Sequence, residues 1–213
     1  MHSTIIQKSA RNRIIEVAIE VFTEHGYEHA TLREICRRAG VNNAAVNYHF
    51  RDKEQLYSEV IDFAVGILQD TSPERGIDWS APPEEQLRAY IRSVLGGLLD
   101  ESRPSWLIKL MSREMAKPQI MELVVEKAIG PSHSALLKII KTLIGPCASE
   151  RQIQNCAFSV GGQCFMYYHS KAMVDHLATC PIDNVAAVEH LIEHVFQFSL
   201  AGINAIRAVS REV

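Results

Sequence analysis

Residues 31–50, TLREICRRAGVNNAAVNYHF, leave the chain little local freedom. Thr31 and Glu34 have the spacing of a capping box, in which a hydroxyl and a carboxylate satisfy the first free amides of a helix reciprocally. That spacing predicts a helix over 32–39. Gly40 stands where helices stop on a left-handed residue, a conformation that costs glycine no Cβ clash. Val41 can bury itself in the corner that follows, and Asn42 can cap the next helix by accepting its orphan amides. Leu32, Ile35, Val46 and Phe50 are the apolar residues placed to lock the two helices together. Two short helices across an Ala-Gly-Val corner are the layout of a helix-turn-helix, whose second helix enters DNA.

Between Asn42 and Phe50 there is no Arg or Lys, the side chains that most often read guanine. Asn43 and Asn47 stand four apart, hence on one face, and asparagine can pair bidentately with the N6 and N7 edge of adenine. Ala44 and Ala45 are small enough to approach closely and touch thymine methyls. The expected readout is therefore weighted towards A·T pairs. Tyr48, His49, Lys53 and the amides near Thr31 are expected to clamp phosphates. The whole expected contact set is Thr31, Arg33, Asn42, Asn43, Ala44, Ala45, Asn47, Tyr48, His49 and Lys53. Read without the motif, Asn43 and Asn47 are solvated polar residues and Tyr48 a packing residue with an exposed hydroxyl.

Charge sits awkwardly with that reading, because phosphate contacts supply most non-specific affinity and the formal net charge is −3. Within residues 1–62 the cations Lys8, Arg11, Arg13, Arg33, Arg37, Arg38, Arg51 and Lys53 face nine acids. Distribution favours binding: Arg33, Arg37, Arg38, Arg51 and Lys53 flank the second helix of the motif, while most acids lie on the chain's first and fourth helices.

The stretch resembles the DNA-binding domain of the TetR family of one-component regulators, and the resemblance continues on both sides. Upstream, RIIEVAIEVFTEHGYEHATLREI is similar to that family's first helix and its Gly-Tyr turn. Downstream, Tyr48-His49-Phe50 followed by Lys53 and Leu56 resembles the run that opens its fourth helix. The match covers about residues 11–61. Further on, SWLIKLMSREMAKPQIMELVVEKAIGP resembles the regulatory domain of the YbiH-like subgroup.

The rest of the chain reads as all-α. A first helix over 9–25 carries Ile14, Ile15, Ala18, Val21 and Phe22 at helical spacing, and a fourth starts behind the cap Asp52. TSPERGIDWSAPP (71–83) is the one break in composition. Helices are expected beyond it over 84–100, 104–116, 119–144, 149–171 and 184–209, bounded by Pro and Gly. The predicted organisation is a three-helix helix-turn-helix domain (1–62) and a helical ligand-binding and dimerisation domain (63–213). Five cysteines in no ligand-like spacing read as reduced thiols of a cytoplasmic protein. The N-terminus lacks a secretory signal, and no apolar run is long enough to span a bilayer.

So short a reading helix touches few base pairs, so specificity needs a two-fold dimer on a palindromic operator. The last two helices are the candidate dimer surface, as the resemblance also implies. Phe158, Gly162, Phe165, Leu191, Val195, Phe198 and Gly202 form its stripe, which would serve equally well as an intramolecular core face. The resemblance further implies a pocket for a small-molecule effector among the middle helices, whose occupation shifts the protein away from operator binding. Candidate lining residues are Trp106, Met111, Phe165 and Tyr168, with Arg113 or Glu114 as polar anchor; ordinary packing is the competing reading for each. No cofactor is called for.

A different chemistry is spelled by His190, Glu193 and His194, an inverted zincin pattern in which two histidines hold zinc and the glutamate is the general base. A third ligand is lacking, with only Glu212 downstream. His133, His169, His176 and Cys180 match no familiar metal spacing, and Cys36 reads either as an oxidation switch or as a small buried hydrophobe. The expected function is a non-enzymatic repressor released from its operator by a lipophilic effector.

Overall fold

The computed structural model describes residues 9–100 and 104–210; Lys8 and Glu212 lie outside them. Every regular element among these residues is helical. No helix among them is long and apolar enough to cross a membrane. The chain forms two compact units, but not by a single cut near residue 62. Among the described residues, those within 103–124 join those within 1–68 in the first unit, and those within 69–102 join those within 125–213 in the second.

In the first unit, α1 (Ala10–His29) starts on Ser9, whose hydroxyl accepts the Asn12 amide at 3.2 Å. Its regular part ends near the expected His25, because Gly26 adopts φ 72° and ψ 171° and kinks the chain. A side chain there would meet both that positive φ and Arg113, whose Nη1 would lie 3.2 Å from an added Cβ. The kink brings Tyr27 onto Phe22 and Tyr57, with ring centroids 6.4 and 4.7 Å away. α2 (Leu32–Ala39), α3 (Asn43–Phe50) and α4 (Lys53–Asp70) follow. Ile14, Phe22, Ile35, Val46, Phe50 and Leu56 are wholly buried among them, whereas Leu32 is only half-buried. α6 (Ser105–Glu114) packs on α1, and α7 (Pro118–Val124) completes the unit.

In the second unit, α5 (Pro83–Leu98), α8 (Gly130–Ile144), α9 (Glu150–His169) and α11 (Val185–Ser210) enclose one apolar core. Leu87, Ile91, Leu136, Ile140, Ile153, Val160, Ile192 and Phe196 lie at its centre. The helix expected over 119–144 is interrupted. A π turn at Val125–Ile129 precedes α8, whose first turn holds Pro131, a residue with no amide to give to the preceding helix. Gly130 is needed there, since an added Cβ would lie 2.7 Å from the Val125 carbonyl oxygen. The expected helix over 149–171 likewise ends at His169, and a separate short helix, α10 (Lys171–Leu177), follows.

Candidate nucleic-acid interface

Local sequence builds the reading helix. Thr31 Oγ1 accepts the Glu34 amide at 3.2 Å, Gly40 closes α2 at φ 64°, and Asn42 Oδ1 accepts the Ala45 amide at 2.9 Å. Val46 and Phe50 turn inward and are fully buried, so the opposite face of α3 is left to solvent. On that face Asn43, Ala44, Asn47 and Tyr48 are exposed, Tyr48 to 84%, while Ala45 and His49 are half-buried. The His49 ring sits 5.0 Å from that of Tyr48 and 6.0 Å from that of Phe50.

The asparagines are not equivalent. The oxygen of Asn42 is taken by its cap, and that of Asn43 accepts the Cys36 thiol at 3.1 Å. Asn47 shows no such partner among the described residues. Bidentate pairing with adenine needs the amide oxygen and nitrogen turned outward together; the thiol draws the Asn43 oxygen towards Cys36, whereas no such bond turns the Asn47 amide among the described residues.

The capping box at Thr31 is half-formed. Glu34 does not reach back to Thr31, because Arg37 and Arg38 hold its carboxylate at 2.8 and 2.7 Å. Arg38 also grips Glu24 of α1 at 2.8 Å. Hydrogen bonds from Arg37 and then Arg38 hold the Glu34 carboxyl down at about 2, and the Arg38 bond lowers Glu24 as well. Two of the five flanking cations are thus neutralised within the protein, and the expected basic stripe is reduced. Arg33 and Arg51 are exposed and form no ion pair among the described residues. Lys53 lies 4.5 Å from the Tyr27 ring centroid and donates to the Glu28 carbonyl at 3.4 Å.

The expected effector residues do not gather in one unit. Trp106 stacks on Phe63 at 6.2 Å, Met111 is buried, and Arg113 donates to the Phe22 carbonyl at 3.5 Å. Glu114 is wholly buried, where it accepts the Tyr57 hydroxyl and pairs with Lys117 at 2.7 Å. These four lie in the first unit and have packing or polar partners there. Phe165 and Tyr168 belong to the second, each with its ring against His169, at 5.7 and 5.0 Å.

The expected dimer stripe also divides. Leu191 and Val195 point into the core of the second unit, which claims them by the intramolecular alternative. Phe158 and Phe198 are each 65% exposed, and Gly162, Phe165 and Gly202 are exposed beside them. On α11 the zincin reading finds no support: the Glu193 carboxylate is engaged by Arg88 at 3.1 Å and Gln197 at 2.7 Å. Among the described residues no three of His, Cys, Asp and Glu gather as a metal-holding group. Cys36 is buried, and burial pushes its thiol up, which opposes the thiolate that oxidation needs.

Comparison with known proteins agrees with this architecture. Residues 14–60 match the model of the tetR family of bacterial regulatory proteins. Residues 83–203 match that of the C-terminal domain of the HTH-type transcriptional dual regulator CecR. The Shigella flexneri CecR is 30% identical over 161 residues, covering 70% of this chain and 71% of that protein. The Shigella flexneri regulator AcrR is 28% identical over 104 residues, and there the chain spans only 48% of the relative's length. Among solved structures, the flavonoid-responsive regulator FrrA superposes with a TM-score of 0.62 at 21% identity, covering 91% of this chain and 96% of that one. AibR in complex with isovaleryl coenzyme A and operator DNA superposes with a TM-score of 0.60 at 18% identity, covering 89% and 97%.

Proposed function

The chain belongs to the TetR family of transcriptional regulators, and from that premise we propose that it is a homodimeric cytoplasmic repressor released from a palindromic operator by a small molecule. The observation that carries the reading is the solvent-facing side of α3, where Asn47 and Tyr48 project while Val46 and Phe50 anchor the helix from behind. Asn47 reads adenine, Ala44 contacts a thymine methyl, and Tyr48, Arg33 and Lys53 hold phosphates. Thr31 and Asn42 serve mainly as caps that aim the amides of α2 and α3.

One copy of α3 covers too few base pairs for useful selectivity, so the active species is a two-fold dimer. Its interface is the exposed stripe of Phe158, Gly162 and Phe165 on α9 with Phe198 and Gly202 on α11. Apolar rings left open beside glycines suit close approach of a second copy's helices.

The effector binds in the second unit. Its core is apolar except for a few buried polar groups, notably the Tyr90 and Ser132 hydroxyls, 3.0 Å apart. An apolar body with one polar end matches that environment. AibR was solved with isovaleryl coenzyme A and FrrA is flavonoid-responsive, which favours a lipophilic acyl or aromatic compound. The relative CecR is a dual regulator, which favours a second reading, in which the same protein activates at some operators.

The test is selection of fragments from random duplex DNA with purified protein, repeated with candidate compounds present. Enrichment of an inverted repeat that is lost on adding one compound supports the proposal. Equal binding to all sequences in dilute buffer refutes it.

A further inference from the structure

Cys36 and Asn43 meet across the corner of the helix-turn-helix. Cys36 lies in the second turn of α2 and is buried; Asn43 is the first residue of α3 and is exposed. The thiol donates to Oδ1 of the amide at 3.1 Å. With the oxygen turned back into the protein, the amide nitrogen and its two protons are what Asn43 presents outward. Helices of this kind contact base edges through their N-terminal residues, which is where Asn43 stands.

We propose that Cys36 is a positioning residue that makes Asn43 a donor-only reader, so that the base it faces must offer an acceptor. The inference rests on the reading of α3 as the DNA-contacting helix and narrows it. Guanine offers O6 and N7 in the major groove, thymine O4 and adenine N7, whereas cytosine offers only its N4 amino donor. Asn43 therefore disfavours cytosine, and bidentate recognition of adenine falls to Asn47, one turn further along the same face. Burial keeps the sulfur protonated at neutral pH, so its hydrogen is available for the bond. A sulfur donor is weak, but a small bias suffices here, since it only has to decide which end of an exposed amide points outward.

The test compares base preferences of the full-length wild type, C36A, C36S, N43A and N47A by selection from random duplexes, with melting temperatures alongside. Alanine frees the amide to turn its oxygen towards cytosine, so C36A should admit cytosine about threefold to tenfold more often at one position per half-site, the range a single weak hydrogen bond supports. That position should be the one N43A alters and not the one N47A alters. C36S keeps a donor and should stay near the wild type. A C36A profile that superimposes on the wild type overturns the proposal. So does a C36S profile equal to that of C36A, a wild-type preference for cytosine there, or an N43A profile without change. A change in C36A spread over all positions with a fallen melting temperature would mark helix repacking and also overturn it. If instead no protein shows any sequence preference, the DNA reading itself fails.

Discussion

The hydroxyl of Tyr57 on α4 donates to the carboxylate of Glu114 on α6, a side chain with no exposed surface. Lys117 approaches the same oxygen at 2.7 Å and lies 5.2 Å from the Tyr57 ring centroid, whereas the second oxygen, Oε1, is buried with no hydrogen-bond partner among the described residues. An ionised or half-satisfied carboxyl in such a place is costly to strand, so the phenol is structurally important. Tyr57→Phe should lower stability by about 1–3 kcal/mol, the usual cost of removing a partner from a buried polar group. Urea denaturation measures it, and an unchanged midpoint would show that Lys117 alone suffices.

The same pair makes a prediction in alkali. Burial, followed by the Glu114 hydrogen bond, raises the Tyr57 phenol above its ordinary value of 10.0. The folded state thus holds that proton more tightly than the unfolded chain does. Its contribution is fully present below about pH 10 and is lost as pH rises beyond. The wild type should lose more stability above pH 10 than Tyr57→Phe, as read by melting temperature against pH.

Glu34 restrains two cations beside the reading helix. Glu34→Gln should free Arg37 and leave Arg38 only Glu24, so non-specific DNA affinity should rise at low salt. The slope of log affinity against log salt should steepen by about 0.9 for each additional phosphate that the freed arginines engage. The carboxyl is held near 2 in the folded protein, below its ordinary 4.5, so its contribution to stability is present above about pH 4.5 and lost as pH falls towards 2. The variant should lack that part of the acid dependence.

Asn47→Ala and Lys53→Ala should separate reading from clamping. The first should relax preference at one base pair per half-site, costing about 1–3 kcal/mol on the preferred operator. The second should weaken all sequences alike and flatten the salt dependence. Identical behaviour of the two in anisotropy titrations would remove the distinction.

Phe198→Asp places a charge on the exposed stripe of α11, away from the core residues Leu191 and Val195. It should yield a folded monomer in sedimentation with operator affinity reduced by at least tenfold. A variant that remains dimeric would move the interface elsewhere.

Features written in a few adjacent residues were legible in the sequence. The left-handed stop at Gly40, the caps at Thr31, Asn42 and Asp52, and the inward Val46 and Phe50 each follow from neighbours in the chain. What escaped depends on partners brought close by folding. Glu34 has the right spacing for a capping box, yet it is drawn into the arginine network that also engages Glu24, ten residues upstream on another helix. Ser149 and Gln152 have the same spacing without that competition and form the complete box. Cys36 and Asn43 are each ordinary residues until the corner joins them. On α11, apolar residues occupy two faces, so periodicity alone could not divide Val195, which is buried, from Phe198, which is exposed. The pocket was inferred from resemblance, and which unit each candidate effector residue falls in depends on long-range packing that spacing does not encode: four lie in the first unit and two in the second.

The acids that hold Arg37 and Arg38 bear on how a regulator finds its target. A genome offers on the order of a million or more competing sites, and loosely held proteins leave them sooner. A reading surface muted in this way trades grip on the bulk chromosome for faster turnover between trial sites. On the proposed function, fewer copies per cell would then keep an operator occupied, and a modest pulse of effector would clear it.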